Sequence, residues 1–123
     1  MSLIAKIEAG FKLLAVDAEF QKDALENIRH WLDGEEFRTY VPYIRSLVEQ
    51  QKWAELLDCF YRMMPFGTGG RRGAVGVGPN RINPYTFDLS VQGHCDYLRE
   101  TMPEQKEHAV VLAWDVRIFS DFR

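Results

Sequence analysis

The chain lacks any apolar run long enough to cross a bilayer as a helix. Its longest, AVVLAW from Ala109 to Trp114, falls far short of the ~20 residues such a span needs. Cysteine is scarce: Cys59 and Cys95 stand alone, outside any CxxC pairing, and read as reduced thiols. The opening MSLIAKIEAG has no basic segment leading into an apolar core and a small-residue cleavage site, so a cytoplasmic location is the expected default. Positive charge is also short. Lys and Arg total 15 against 18 Asp and Glu, a net charge of −3, which disfavours a general nucleic-acid binder. There are no internal repeats, and 123 residues suit one domain with a modest core.

What is there is unevenly spread. The stretch FGTGGRRGAVGVGPNRINPY, Phe66 to Tyr85, holds six of the nine glycines and three arginines, and no acidic residue follows before Asp88. Residues 1–65 carry 8 basic and 11 acidic side chains, residues 66–83 only Arg71, Arg72 and Arg81, and residues 84–123 carry 4 basic and 7 acidic. The loop is a positive island of +3 between two segments of −3.

The first 65 residues read as helical. Phe20, Ala24, Leu25, Ile28, Trp31 and Leu32 recur on one helical face, and Asp33-Gly34 supplies a stop. A second pattern starts near Pro42 with Ile44, Leu47 and Val48, continues through Trp53, Leu56, Leu57 and Phe60 toward Met63, and ends at Pro65. Whether the break near Gln50 divides one helix or two is left open by the pattern. Residues 1–20 are expected to be helical too. After the loop, Asn83-Pro84 predicts a helix start, with Phe87, Val91, Cys95 and Leu98 at helical spacing and Gly93 permitting close approach to a neighbour. Thr101–His108 reads as a polar loop. AVVLAW predicts a strand buried on both faces, Ser120-Asp121 the cap of a further helix, and residues 74–77 a short strand. That order is the opening of a βαβ unit in an α/β fold.

Glycines let backbone amides approach an anion, arginines offer bidentate donors to phosphate oxygens, and Thr68 adds a hydroxyl. Anion binding is therefore the expected property of the loop, against a surface turn whose arginines are merely solvated. Two familiar phosphate motifs fail. Gly73 and Gly78 have the spacing of GxxxxGK[ST], but Pro79-Asn80 stands where Lys and Ser/Thr belong. GxGxxG fails as well, because Gly67-Thr68-Gly69 leads to Arg72 and Gly76-Val77-Gly78 leads to Arg81. Nucleic-acid recognition by three arginines without interleaved aromatics is disfavoured. His30, His94 and His108 have no ligand partners at useful spacing and are expected to be structural or solvated.

The string FGTGGRRGAVGVGPNRINPYT resembles the F-G-T-[SAG]-G-L-R-G signature of the α-D-phosphohexomutase superfamily, the phosphoglucomutases and phosphomannomutases. VQGHCDYL is similar to that family's T-Q-G-x-x-x-Y-L helix, and VVLAWDVR to its strand ending in D-x-R. ELLDCFYRMMPFGTGG resembles the helix-to-loop junction of the larger phosphoglucomutase/phosphopentomutase branch, which carries an N-terminal helical extension. The likeness is strong from about residue 53 to residue 122. It implies a helical extension over residues 1–65, followed over residues 66–123 by the beginning of a three-layer α/β/α domain I. It also implies a sugar phosphate, hexose or pentose, as the partner of the full-length enzyme, and Mg2+ as its cofactor.

Carried over by position, the resemblance makes Arg72 the arginine that contacts the phosphate of the sugar or of the phosphoserine. Thr68 and Gly69 fall on the supporting turn, and Arg117 at the strand's carboxyl end is a second phosphate contact. Gly67, Gly70, Gly73 and Asp115 fall in structural roles. Arg71 stands where the family has leucine; it either widens the anion site or points to solvent, and solvent is the favoured reading.

The family's catalytic parts are not found. No serine is followed by histidine, whereas the family's phosphorylated serine sits in T-A-S-H-N-P, and no D-G-D-G-D-R is present to hold magnesium. The chain by itself is thus expected to be inactive, with no catalytic residue and no metal site of its own. It reads as the front portion of a mutase: an excised piece, a truncated product or one part of a split enzyme. The alternative is a non-catalytic anion-binding or subunit-interaction module derived from the family. A lone βα opening also predicts exposed apolar surface and self-association through an exposed sheet edge.

Overall fold

The structure, a computed structural model, describes residues 1–68 and 70–113. The chain divides into two compact units, Met1–Asn83 and Pro84–Arg123.

The first unit is a helical layer with the glycine-rich loop appended. It contains α1 (Leu3–Lys12), α2 (Ala18–Asp33), a 3₁₀ helix (Glu35–Tyr40), α3 (Val41–Glu49) and α4 (Trp53–Phe60). Ser2 caps α1, its hydroxyl accepting from the Ala5 amide at 3.2 Å. The helix expected through residue 20 stops at Lys12, and a new one begins at Ala18. In α2 the buried positions are Ala24, Ile28 and Trp31, while Phe20 is exposed, so the apolar stripe is narrower than its spacing implied. Ile7 and Phe11 of α1 and Ile44 of α3 join them in the core. Around Trp31 the aromatic packing is specific. Its ring stacks on Phe37 at 4.4 Å and meets Phe60 edge-on at 5.5 Å. Such pairs add roughly 0.5–1.5 kcal/mol each beyond the area they bury.

The break near Gln50 separates two helices. Lys52 N donates to Leu47 O and Gln51 N to Val48 O, the paired bonds of a Schellman ending. Gln51 takes φ 54°, the left-handed position that glycine usually fills. Helix α4 then ends at Phe60, well before Pro65. The reason is tertiary: distant parts of the chain occupy its last three carbonyls, those of Asp58, Cys59 and Phe60, as described below.

The second unit contains α5 (Pro84–Thr101), which starts at Pro84 as expected. Phe87 and Val91 are exposed on it. A Cβ at Gly93 would meet nothing within 4 Å, so the close approach expected there is not seen among the described residues. No strand forms among the described residues. Val75 and Ile82 make one isolated parallel bridge where residues 74–77 were expected to form a strand. Residues 109–113 have no regular structure, and Val111 is 96% exposed. A strand buried on both faces needs neighbours to take its amides and carbonyls, and the described residues supply none. The exposed sheet edge expected for self-association is accordingly not present among them. Trp114, Asp115, Arg117 and the Ser120-Asp121 cap lie outside the described residues.

Candidate anion-binding loop

The loop begins where α4 ends. The last carbonyls of a helix lack partners within it, and here each carbonyl of the final turn is taken, the first by the C-cap Tyr61 and the other three from a distance. Leu57 O accepts from Tyr61 N at 2.9 Å, and Asp58 O from the Asn80 side-chain amide at 2.8 Å. Cys59 O accepts from Asn80 N at 3.1 Å, and Phe60 O from the Asn27 side-chain amide at 2.7 Å. One asparagine of the loop thus closes half of the helix end. Its own oxygen accepts from Arg62 Nε at 3.3 Å.

The two ends of the loop are also joined directly, Met64 N donating to Pro79 O at 2.9 Å. Chain ends this close define an Ω-type excursion from Pro65 to Gly78. Gly78 adopts φ +107°, and a Cβ there would lie 2.4 Å from Cys59 O. The buried Asn83 stitches the far side, its amide donating to Gly76 O and Gly78 O at 2.9 Å each.

At the near side, Gly67 and Gly70 exchange backbone hydrogen bonds of 2.7 and 3.3 Å, closing a tight turn with Thr68 exposed at its tip. Pro65, Phe66, Gly67, Thr68, Gly70 and Arg72 line a shallow pocket of about 300 Å³. Arg72 is exposed. Its guanidinium makes no hydrogen bond or ion pair among the described residues.

The three arginines of the positive island are not equivalent. Arg81 Nη2 lies 2.6 Å from Asp58 Oδ2, and its Nη1 donates to Asn80 O at 3.1 Å. Its charge is therefore matched within the fold, and the island is smaller than its sequence sum. Arg71 does not point freely into solvent, as was favoured: its Nη1 is buried and has no hydrogen-bond partner. Arg71 is half-buried while its neighbour Arg72 is exposed, so the two adjacent guanidinium groups have different surroundings.

Of the residues expected to form the site, Gly67, Thr68, Gly70 and Arg72 converge on one pocket. Gly73 instead packs beneath Met64, whose Cε would lie 2.7 Å from a Cβ there. Gly69, Asp115 and Arg117 lie outside the described residues. Sequence reasoning did not find Asp58, Asn80 and Asn83, the residues that hold the loop. The signal within reach was the pair of asparagines flanking Arg81 in PNRIN: side-chain amides are the usual substitute for missing backbone partners in a strand-poor loop.

Cys59, buried beneath the loop base, has its thiol pushed up to about 11 by burial, with Arg81 pulling the other way. It is an inert thiol. No group of three or more His, Cys, Asp or Glu side chains that could hold a metal ion occurs among the described residues. No helix of the described residues is long and apolar enough to cross a membrane.

The family model for phosphoglucomutase/phosphomannomutase, alpha/beta/alpha domain I, matches residues 63–122. That segment belongs to the α-D-phosphohexomutase superfamily. The match starts at the loop just described and takes in α5. Outside the family model the likeness continues toward the N-terminus. The chain is 30% identical over 104 residues, 85% of its length, to a phosphopentomutase of Homo sapiens. It is 32% identical over 90 residues to a glucose 1,6-bisphosphate synthase of Mus musculus, and 31% identical over 77 residues to a phosphoglucomutase of Staphylococcus aureus (strain bovine RF122 / ET3-1). These alignments cover 73% and 63% of the chain respectively. The chain spans only 16% of the human relative, 14% of the mouse one and 13% of the bacterial one. No solved structure matches the chain at a significant level.

Proposed function

We propose that this chain supplies a phosphate-contacting loop of a sugar-phosphate mutase, an isomerase that moves a phosphoryl group within a hexose or pentose. In this reading the full-length enzyme works through a phosphoserine and a bisphosphorylated sugar, with Mg2+ bound by its catalytic loops, in the cytoplasm. The observation that carries the reading is Arg72: exposed, unpaired among the described residues, and lining one pocket with Gly67, Thr68 and Gly70. A guanidinium offers a phosphate two parallel donors, and glycines leave the main chain open to approach. Thr68 can donate its hydroxyl to the same oxyanion. Arg117 is a second phosphate contact in this reading, with Gly69, Gly73 and Asp115 as supports.

The helical layer, residues 1–65, is an extension that carries the loop, and residues 66–123 open the α/β/α domain. The serine nucleophile and the metal ligands belong to other parts of the enzyme, so the chain alone binds phosphate without transferring it. Thermal melting with millimolar inorganic phosphate or glucose 1-phosphate tests this. A ligand-dependent rise in melting temperature that Arg72→Ala abolishes is the expected result, and no rise in the parent chain would refute a preformed site.

A second reading, a non-catalytic anion-binding or subunit-interaction module, is favoured by exposed apolar side chains in the second unit, Phe87, Val91 and Tyr97 on α5 and Val110–Leu112 after it. Concentration-dependent sedimentation would support self-association, and a monomer at all concentrations would dismiss it.

A further inference from the structure

We infer that Asn80 and the Asp58–Arg81 pair are positioning residues for the anion pocket, through which helix α4 sets the place of Arg72. The inference rests on the phosphate reading above. All the pocket-lining residues, Pro65 to Arg72, lie in the segment between Met64 and Pro79, whose backbones meet at 2.9 Å. That segment contains every glycine from Gly67 to Gly78. A chain so rich in glycine has much conformational freedom, and whatever must be ordered on binding is subtracted from affinity. Holding the base of the segment removes that cost beforehand.

The base is held from α4. Asn80 bonds Asp58 O and Cys59 O, and Gly78 sits so close to Cys59 O that no side chain fits between them. Arg81 closes the ring by joining Asn80 O to the Asp58 carboxylate. None of Asn80, Asp58 and Arg81 lines the pocket. They therefore act on a ligand only through the loop.

The charge of Asp58 makes the role testable by sign. If Asp58 acted on an anion through its field alone, removing its charge would tighten phosphate binding. If it positions the loop, the same change loosens it.

The experiment is calorimetric titration of the whole chain with inorganic phosphate. Asp58→Asn and Asn80→Ala are each expected to weaken binding about tenfold, the equivalent of ordering roughly one more backbone residue. Asp58→Glu retains the ion pair and is expected to bind as the parent does, and the far-UV circular dichroism of all three stays unchanged. Should Asn80→Ala fail to fold, Asp58→Asn decides alone, because that side chain is 55% exposed. Arg72→Ala serves as the reference. If the parent binds no phosphate, or Arg72→Ala binds as well as the parent, the phosphate reading fails and takes this inference with it. If Arg72→Ala loses binding while Asp58→Asn binds as tightly as the parent or more tightly, the positioning role alone is overturned.

Discussion

Arg81 Nη2 lies 2.6 Å from the Asp58 carboxylate, joining residues 23 positions apart and committing one of the loop's three cations to the loop's own anchorage. The Arg81 side chain is only 14% exposed. Arg81→Ala removes a charge-assisted bond to Asp58 and a bond to the Asn80 carbonyl. The expected loss is about 1–2 kcal/mol, because the half-exposed Asp58 is resolvated and the bond is partly screened. Urea unfolding checks this through a lower midpoint at unchanged slope.

Gly78→Ala tests the joint between loop and helix. Its φ of +107° is strained for any side chain, and the added Cβ would meet backbone rather than a side chain that could swing away. A loss of at least about 2 kcal/mol is expected. Gly93→Ala is the contrast: with open space around it, on α5, the substitution is expected to be stabilising by up to about 1 kcal/mol.

Gln51→Gly is expected to stabilise the chain. The Schellman ending of α3 places Gln51 at φ 54°, where an L side chain costs about 1–2 kcal/mol. Glycine removes that strain but loses more backbone entropy on folding, leaving a net gain of about 0.5–1 kcal/mol. Thermal melting should show the increase, and a decrease would mean the side chain makes a compensating contact.

Arg71→Leu should also raise the melting temperature. The buried Nη1 has no acceptor, and an unsatisfied buried donor costs about 1–3 kcal/mol. Leucine fills similar space without that penalty. If melting falls instead, the arginine stem or its remaining donors contribute more than the orphaned nitrogen costs.

Cys59 gives the chain a pH dependence at high pH. Its thiol is raised from 9.0 to about 11 in the folded state, chiefly by burial. The folded state therefore keeps a proton that the unfolded state has lost. Stability from this group is fully present below pH 9 and declines as pH rises toward 11, by about 2–3 kcal/mol in all. Comparison with Cys59→Ala isolates this decline from lysine and tyrosine titration. At pH 8 a thiol reagent should label exposed Cys95 rapidly and buried Cys59 only on unfolding.

Local pattern was enough to locate several elements. The spacing of Ala24, Ile28 and Trp31 marked the buried face of α2, and Pro84 marked the start of α5. The glycine-arginine string marked the pocket through Gly67, Thr68, Gly70 and Arg72. These features depend on contacts within a few residues, or on backbone freedom that glycine and proline announce wherever they stand. The end of α4 was misjudged because proline is a local stop, whereas the last carbonyls of the helix are met from a distance, by the side chain and main chain of Asn80 and by the Asn27 side chain. The strand expected over AVVLAW is not formed over residues 109–113, the part of it that is described, because a strand is completed by neighbours that local pattern does not supply.

What the amino-acid order determined unaided was a helical layer, a glycine-rich cationic loop and the family to which residues 63–122 belong. What the tertiary structure alone decided was the division of labour among three arginines that look alike in one dimension. Arg81 faces Asp58, Arg71 turns inward without an acceptor, and Arg72 stays exposed at the pocket. The physical reason is that a guanidinium's role is set by which acceptors the fold brings within about 3 Å of it, and the acceptor that claims Arg81 is carried by a helix far back along the chain.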